Sequence, residues 1–288
     1  MSARIDAPHG HTHSHGAAAS GLDPIGSLHR IYAMVLRHLF LLRTSWPRVF
    51  ELMYWPSIQV VLWGFITLFL AQSSSVIAQT TGVLVSAVLL WDVLFRGQLG
   101  FSISFLEEVW SRNLANLCVS PLRIGEFLVA LMVMSLLRVL VGVIPAAFLA
   151  IALYEASVFA LGLPLIGFFV NLIVMGWAIG MMVCALILRV GLGAENTAWL
   201  AIFLIAPVSA IYYPVDVLPD WLQIVAWSLP TTPVFEGMRA VLIDQDVRFD
   251  LLLHAILANG VYLTLGTILF LLSFRQARRR GLLLQIGE

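Results

Sequence analysis

Few residues in this chain have the type and spacing to do chemistry. His9, His11, His13 and His15 alternate with small and polar residues near the start. Imidazoles that dense on a flexible segment bind zinc, nickel or copper to some degree, and incidental affinity is expected here rather than a metal sensor. His254 stands in an apolar run, and neither H-E-x-x-H nor G-x-S-x-G occurs. All sixteen basic side chains are arginine, since the sequence has no lysine. A phosphate-cradling G-x-x-x-x-G-K-[ST] loop and a Schiff-base site both need one. The chain is therefore expected not to be an enzyme, and any ATP it uses must be hydrolysed on another chain.

Three further groups carry information through their placement. Asp92 and Arg138 fall within long apolar runs, where a charge costs about 2.5–3.5 kcal/mol or more and is normally paired or faces a wet interior. A mutual ion pair is one expectation and a role in a substrate path another. Asn171 and Asn259, also inside apolar runs, are expected to hold helices together through hydrogen bonds. The run Phe105-Leu-Glu-Glu-Val-Trp-Ser-Arg-Asn-Leu-Ala-Asn-Leu117 puts Leu106, Val109, Trp110, Asn113, Leu114 and Leu117 on one helical face. Glu107, Glu108, Ser111, Arg112 and Ala115 occupy the other. This predicts a short amphipathic helix in a loop, ended by Ser120-Pro121, with an aromatic anchor and a charged rim suited to a groove on a partner protein.

The elements that must position these residues belong to a membrane protein. Of 288 residues, 60% are hydrophobic and 11% charged, and mean hydropathy is +0.95. A soluble domain needs about a quarter charged residues to cover its surface. Zero formal net charge argues against a nucleic-acid partner. Residues 1–22 read as a disordered tail, without the basic start and apolar stretch of a cleavable leader. Asp23-Pro24 signals a helix start. Leu28, Ile31, Val35, Leu39 and Leu42 then form an apolar stripe, with Arg30 and Arg37 away from it, which predicts a helix lying in the membrane interface.

Six apolar stretches follow, at about 50–72, 77–97, 125–153, 158–188, 196–213 and 249–274, each near the roughly twenty residues that cross a bilayer. With six spans, the arginines before the first, between the second and third, after the fourth and after the sixth share one side. That bias predicts cytoplasmic termini. On the opposite side, Pro214, Pro219, Pro230 and Pro233 cut the loop before the last span into short pieces. One brief helix is expected over 220–229, with Trp221 on its apolar side. Another opens at Thr232-Pro233 and runs through Glu236 and Arg239, and the pair would dip partway into the bilayer.

The run SFLEEVWSRNLANLCVSPLRIGEF resembles the coupling-helix region of ABC-2 type exporter permeases, and YYPVDVLPDWLQIVAWSLPTTPVFEGMRAVL, residues 212–242, resembles the external loop before their last span. The likeness covers residues 23–280 and leaves out the histidine tail and the end of the chain, 281–288. It implies an all-α fold of six transmembrane helices with an N-terminal interfacial helix, a cytoplasmic coupling helix and re-entrant external helices. It also implies a permease dimer in the inner membrane that exports a drug, lipid or lipid-linked saccharide. ATP and magnesium would sit on a separate ATPase subunit docked at Leu106, Glu107, Glu108, Trp110, Arg112 and Asn113. Pro219, Trp221, Pro230, Pro233, Glu236 and Arg239 would close the outer end of the path. An ion-coupled secondary carrier is the alternative, with Asp92 as the one acid placed to relay an ion; no internal repeat supports it.

Overall fold

The protein is seen as a computed structural model that describes residues 24–71 and 81–281. The histidines at 9, 11, 13 and 15 and the expected loop at 72–79 lie outside the described residues, as does most of the C-terminal tail. Ten α-helices make up the described fold: α1 Pro24–Thr44, α2 Trp46–Ala71, α3 Thr81–Trp110, α4 Leu114–Val119, α5 Ile124–Tyr154, α6 Pro164–Val190, α7 Thr197–Ile205, α8 Asp220–Ser228, α9 Thr231–Arg239 and α10 Phe249–Arg279.

Five of these, α2, α3, α5, α6 and α10, are long and apolar enough to cross a membrane. α3 is the central one, packed against α2, α5 and α6, while α10 lies along α6 on the far side. Most of α3 is buried, whereas α2 and α10 turn most of their apolar surface outward. Hydrophobicity does not separate protein from lipid, so helices in a bilayer associate through close van der Waals packing and hydrogen bonds. Both occur here. A Cβ added at Gly176 of α6 would lie 2.9–3.2 Å from the backbone of Leu94, Gly97 and Gln98, so glycine lets α6 and α3 meet backbone to backbone. Ser135 Oγ donates to the Gly97 carbonyl at 2.6 Å, tying α5 to α3. Asn259 Nδ2 donates to Asn171 Oδ1 at 2.8 Å, so α10 is held to α6 by the two asparagines expected to join helices, here bonded to each other.

Two boundaries differ from expectation. The second apolar helix does not stop near residue 97 but runs unbroken to Trp110. Phe101, Phe105, Leu106 and Val109 continue its buried face, and Glu107 and Glu108 are paired with arginines of other helices. The stretch at 196–213 is helical only through Ile205, with one tighter turn at Ala206–Val208. Pro207 lacks an amide hydrogen to continue the ladder, and Ala210 adopts φ of +51°. Twelve residues rise about 18 Å, short of the roughly 30 Å hydrocarbon core.

The proline-cut loop folds as two short helices. α8 is largely exposed, with Trp221 and Ile224 facing outward, while α9 is buried along almost its whole length against α10, α6 and α3. α9 begins at Thr231 after Pro230, one residue before the expected cap.

Candidate functional site

The charged residues gather at one end of the bundle, where α3 terminates. Side chains in a helix tilt toward its N-terminus. α3 and α5 run in opposite directions, so Glu107 near the end of α3 leans toward mid-bundle while Arg138 on α5 leans toward the end of α3. They meet: Arg138 Nη2 donates to both Glu107 oxygens at 3.1 Å. Arg48 from α2 reaches the same carboxylate at 3.2 Å. Arg138 thus pairs with Glu107, not with Asp92. Asp92, fully buried, has instead Arg96 one turn along α3 at 4.0 Å, beyond hydrogen-bonding distance.

Glu108 is also fully buried. It accepts from Asn113 Nδ2 at 2.7 Å and pairs with Arg37 of α1 at 3.2 Å. His38 Nδ1 stands 3.6 Å from its other oxygen, too far for a hydrogen bond. Burial outweighs the nearby carboxylates and pushes the His38 pKa down to about 4, with Arg138 and Arg37 pushing the same way against Glu107. A second clamp lies one heptad earlier on α1. There Arg30 donates to Glu126 of α5 through Nε at 2.9 Å and Nη2 at 2.7 Å. The Ser27 hydroxyl and the Arg123 amide complete the Glu126 carboxylate at 2.6 and 2.9 Å.

These contacts correct two expectations. Arg30 and Arg37 do not form a headgroup-facing side of α1; both turn inward to acids of other helices. Residues 105–117 do not form a separate amphipathic helix with a charged rim. Leu106 and Glu108 are buried, Glu107 nearly so, and Asn113 is partly buried against Glu108. What projects is a tip: Trp110, 49% exposed, then Ser111 and Arg112 in a turn where Arg112 takes φ of +53°, then α4. Trp110 Nε1 donates to Glu195 at 3.3 Å, linking the tip to the connection between α6 and α7.

Beside the Glu107 junction lies a cavity of about 440 Å³, walled by α2, α3, α5 and α7 with Leu42 from α1. Arg48, Arg96, Arg138, Glu51, Glu107 and Gln59 form its polar part, and Trp55, Phe95, Trp110, Trp199 and Phe203 its aromatic part. Gly142 on α5 makes room for Arg96, since a Cβ there would meet Arg96 Nε at 3.3 Å and the Leu52 carbonyl at 2.7 Å. No linear pattern reveals this cavity, because its residues come from five separated helices.

At the other end of the bundle, Glu236 and Arg239 join α9 to the irregular connection before α8. Glu236 Oε1 accepts from the Val215 amide at 2.7 Å and from Arg239 Nη2 at 2.8 Å. Arg239 also donates to the carbonyls of Ala210 at 2.8 Å and Ile211 at 3.3 Å. Pro219 and Pro230 flank α8, and Pro233 lies in the first turn of α9. Among the described residues no cluster of histidine, cysteine, aspartate or glutamate could hold a metal ion.

Fold and site together define a multi-pass α-helical membrane protein with a buried network of ion pairs at one end. No protein-family model matches the sequence, and no curated protein matches it at a significant level.

Proposed function

We propose that the chain is the membrane-spanning permease subunit of an ATP-driven exporter of the ABC-2 type. In this reading it works as a dimer in the inner membrane, moves a drug, lipid or lipid-linked saccharide outward, and borrows an ATPase subunit for the energy. The observation that carries the reading is the tip from Trp110 to Val119. It projects from a junction where α1, α2, α3 and α5 are joined by buried charges. A motor subunit seated on Trp110, Arg112 and α4 would push on all four helices at once. The sixth crossing would need α7, the turn after it and the non-helical connection through Pro214 together, and both termini would then be cytoplasmic. α8 and α9 would cap the path on the outside, held by Glu236 and Arg239.

Asp92 supports a second reading, an ion-coupled carrier, because it is a buried acid whose two oxygens lack hydrogen-bond partners. The two separate on energy source: export from proteoliposomes with a co-purified ATPase requires ATP, whereas a carrier works on an ion gradient alone.

Side-specific labelling tests the exporter reading. In a background without Cys118 and Cys184, a cysteine at Arg112 should react only from the cytoplasmic side and one at Ile224 only from outside. Labelling of both from the same side would overturn the topology. Failure of the intact protein to associate with any ATPase subunit would overturn the mechanism.

A further inference from the structure

The cavity at the Glu107 junction has a chemistry that the exporter reading leaves unspecified. Its lining holds three arginines against two glutamates. Glu107 is already engaged by Arg138 and Arg48, and Glu51 stands exposed on the first turns of α2. The unmet groups on the cavity wall are donors. Arg96 is 7% exposed and Arg138 5%, and the Nε of each is buried without a hydrogen-bond partner. Asp92, behind Arg96 on the same helix and outside the lining, is too distant to satisfy it. Guanidinium donors left unpaired beside an open volume call for an oxyanion, which accepts charge-assisted hydrogen bonds there.

Apart from Gln59, the rest of the wall is apolar. Leu52, Leu99, Ile103 and the five aromatic side chains surround the polar group. Phe95 packs edge-on against Trp199 and Phe203, at 5.8 and 6.0 Å between ring centres. Trp55, Trp199 and Phe203 are about half exposed at the outer surfaces of α2 and α7, so the cavity opens sideways between those helices. The volume suits a molecule of drug or single-lipid size, far larger than a lone phosphate.

We infer that this cavity binds an amphiphile through a phosphate-type anionic head, with Arg96 and Arg138 on the anion and the aromatic wall on the chain. That the amphiphile is the exported cargo rests on the exporter reading. That the cavity binds it does not, and binding is measured without an ATPase, so the two ideas fail separately.

The test uses the full chain purified in a neutral maltoside detergent. It is titrated with dodecyl phosphate, dodecyltrimethylammonium or inorganic phosphate while tryptophan fluorescence reports on Trp55, Trp110 and Trp199. Dodecyl phosphate should saturate at a concentration at least tenfold below that of the cationic amphiphile. Arg96→Gln should weaken it at least tenfold, and Arg248→Gln, at an exposed pair with Asp250, should leave it unchanged. Inorganic phosphate binding as tightly as dodecyl phosphate would support the anion site and assign it to the free ion. Equal affinity for the cationic amphiphile overturns the inference in the unmodified protein, whatever the variant does, and so does an unchanged affinity in a folded Arg96→Gln protein.

Discussion

Replacing Glu107 by glutamine should cost the protein more stability than any change to an exposed glutamate could. The side chains of Glu107 and Arg138 are 9% and 6% exposed and share two 3.1 Å hydrogen bonds. Removing one member of such a pair leaves a buried charge uncompensated, a loss of about 3–5 kcal/mol. The other contact adds little. Arg48 is half exposed, and exposed pairs contribute about 0–1 kcal/mol. Coupling energies inside membrane proteins run low because the unfolded chain in the bilayer also finds partners. Glu107→Gln should therefore destabilise by about 3 kcal/mol, and Arg138→Met by a similar amount. The double variant Glu107→Leu with Arg138→Met removes both charges and should recover at least half of the summed loss. Reversible unfolding in mixed micelles titrated with dodecyl sulfate, followed by tryptophan fluorescence, measures all three. Two results would defeat the reasoning: a Glu107→Gln protein within about 0.5 kcal/mol of wild type, as a solvated docking residue would give, or losses that simply add in the double variant. The same geometry means that reversing the charge of Glu107 or Glu108 cannot isolate a docking defect, because it would place a cation among Arg37, Arg48 and Arg138.

Two further outcomes follow from other buried charged groups. Arg239→Gln should destabilise the connection before α8 and its packing on α9 by about 2–6 kcal/mol, since it strands the buried carbonyls of Ala210 and Ile211 at about 1–3 kcal/mol each; faster proteolysis of the 209–219 connection reads this out. His38 makes stability depend on pH. Its unfolded pKa is 6.5 and its folded pKa about 4, so stability is flat above pH 6.5. Between those values the unfolded state takes up a proton that the folded state refuses, and about 3 kcal/mol is lost as pH falls. His38→Gln should flatten that part of the unfolding profile, and an unchanged profile would show that another group is responsible.

The spans were legible where hydropathy alone decides, as in α5, α6 and α10. That Asn171 and Asn259 hold helices together was legible because an amide inside an apolar helix needs a partner, but not that they pair with each other. Prolines 219, 230 and 233 announced two short helices because proline acts locally. What stayed hidden was nonlocal. Glu107 and Glu108 read as lying beyond the end of a span only while their partners on α1, α2 and α5 are unknown. Once those partners are in place the charges no longer stop α3, and the proposed coupling helix shrinks to a tip. The choice of Glu107 over Asp92 as the partner of Arg138 depends on which way side chains lean in opposed helices, and a linear reading that places both acids near α5 cannot resolve it.

The arrangement at the end of α3 also bears on how a push at the tip would travel. α1 is fixed at two points seven residues apart, Arg30 to Glu126 on α5 and Arg37 to Glu108 on α3. Two fixed points about 10 Å apart along one helix resist rotation as well as sliding, so α1 cannot follow α3 without carrying α5. Arg138 and Arg48 tie α5 and α2 to Glu107, the neighbouring carboxylate on α3. The floor of the cavity is therefore made by the groups that would move together, and a displacement of Trp110 large enough to break the Glu107 contacts would expose Arg48 and Arg138 to whatever the cavity holds. In the exporter reading, that is how force on the tip would alter the grip on an anionic head without any residue of the chain performing chemistry.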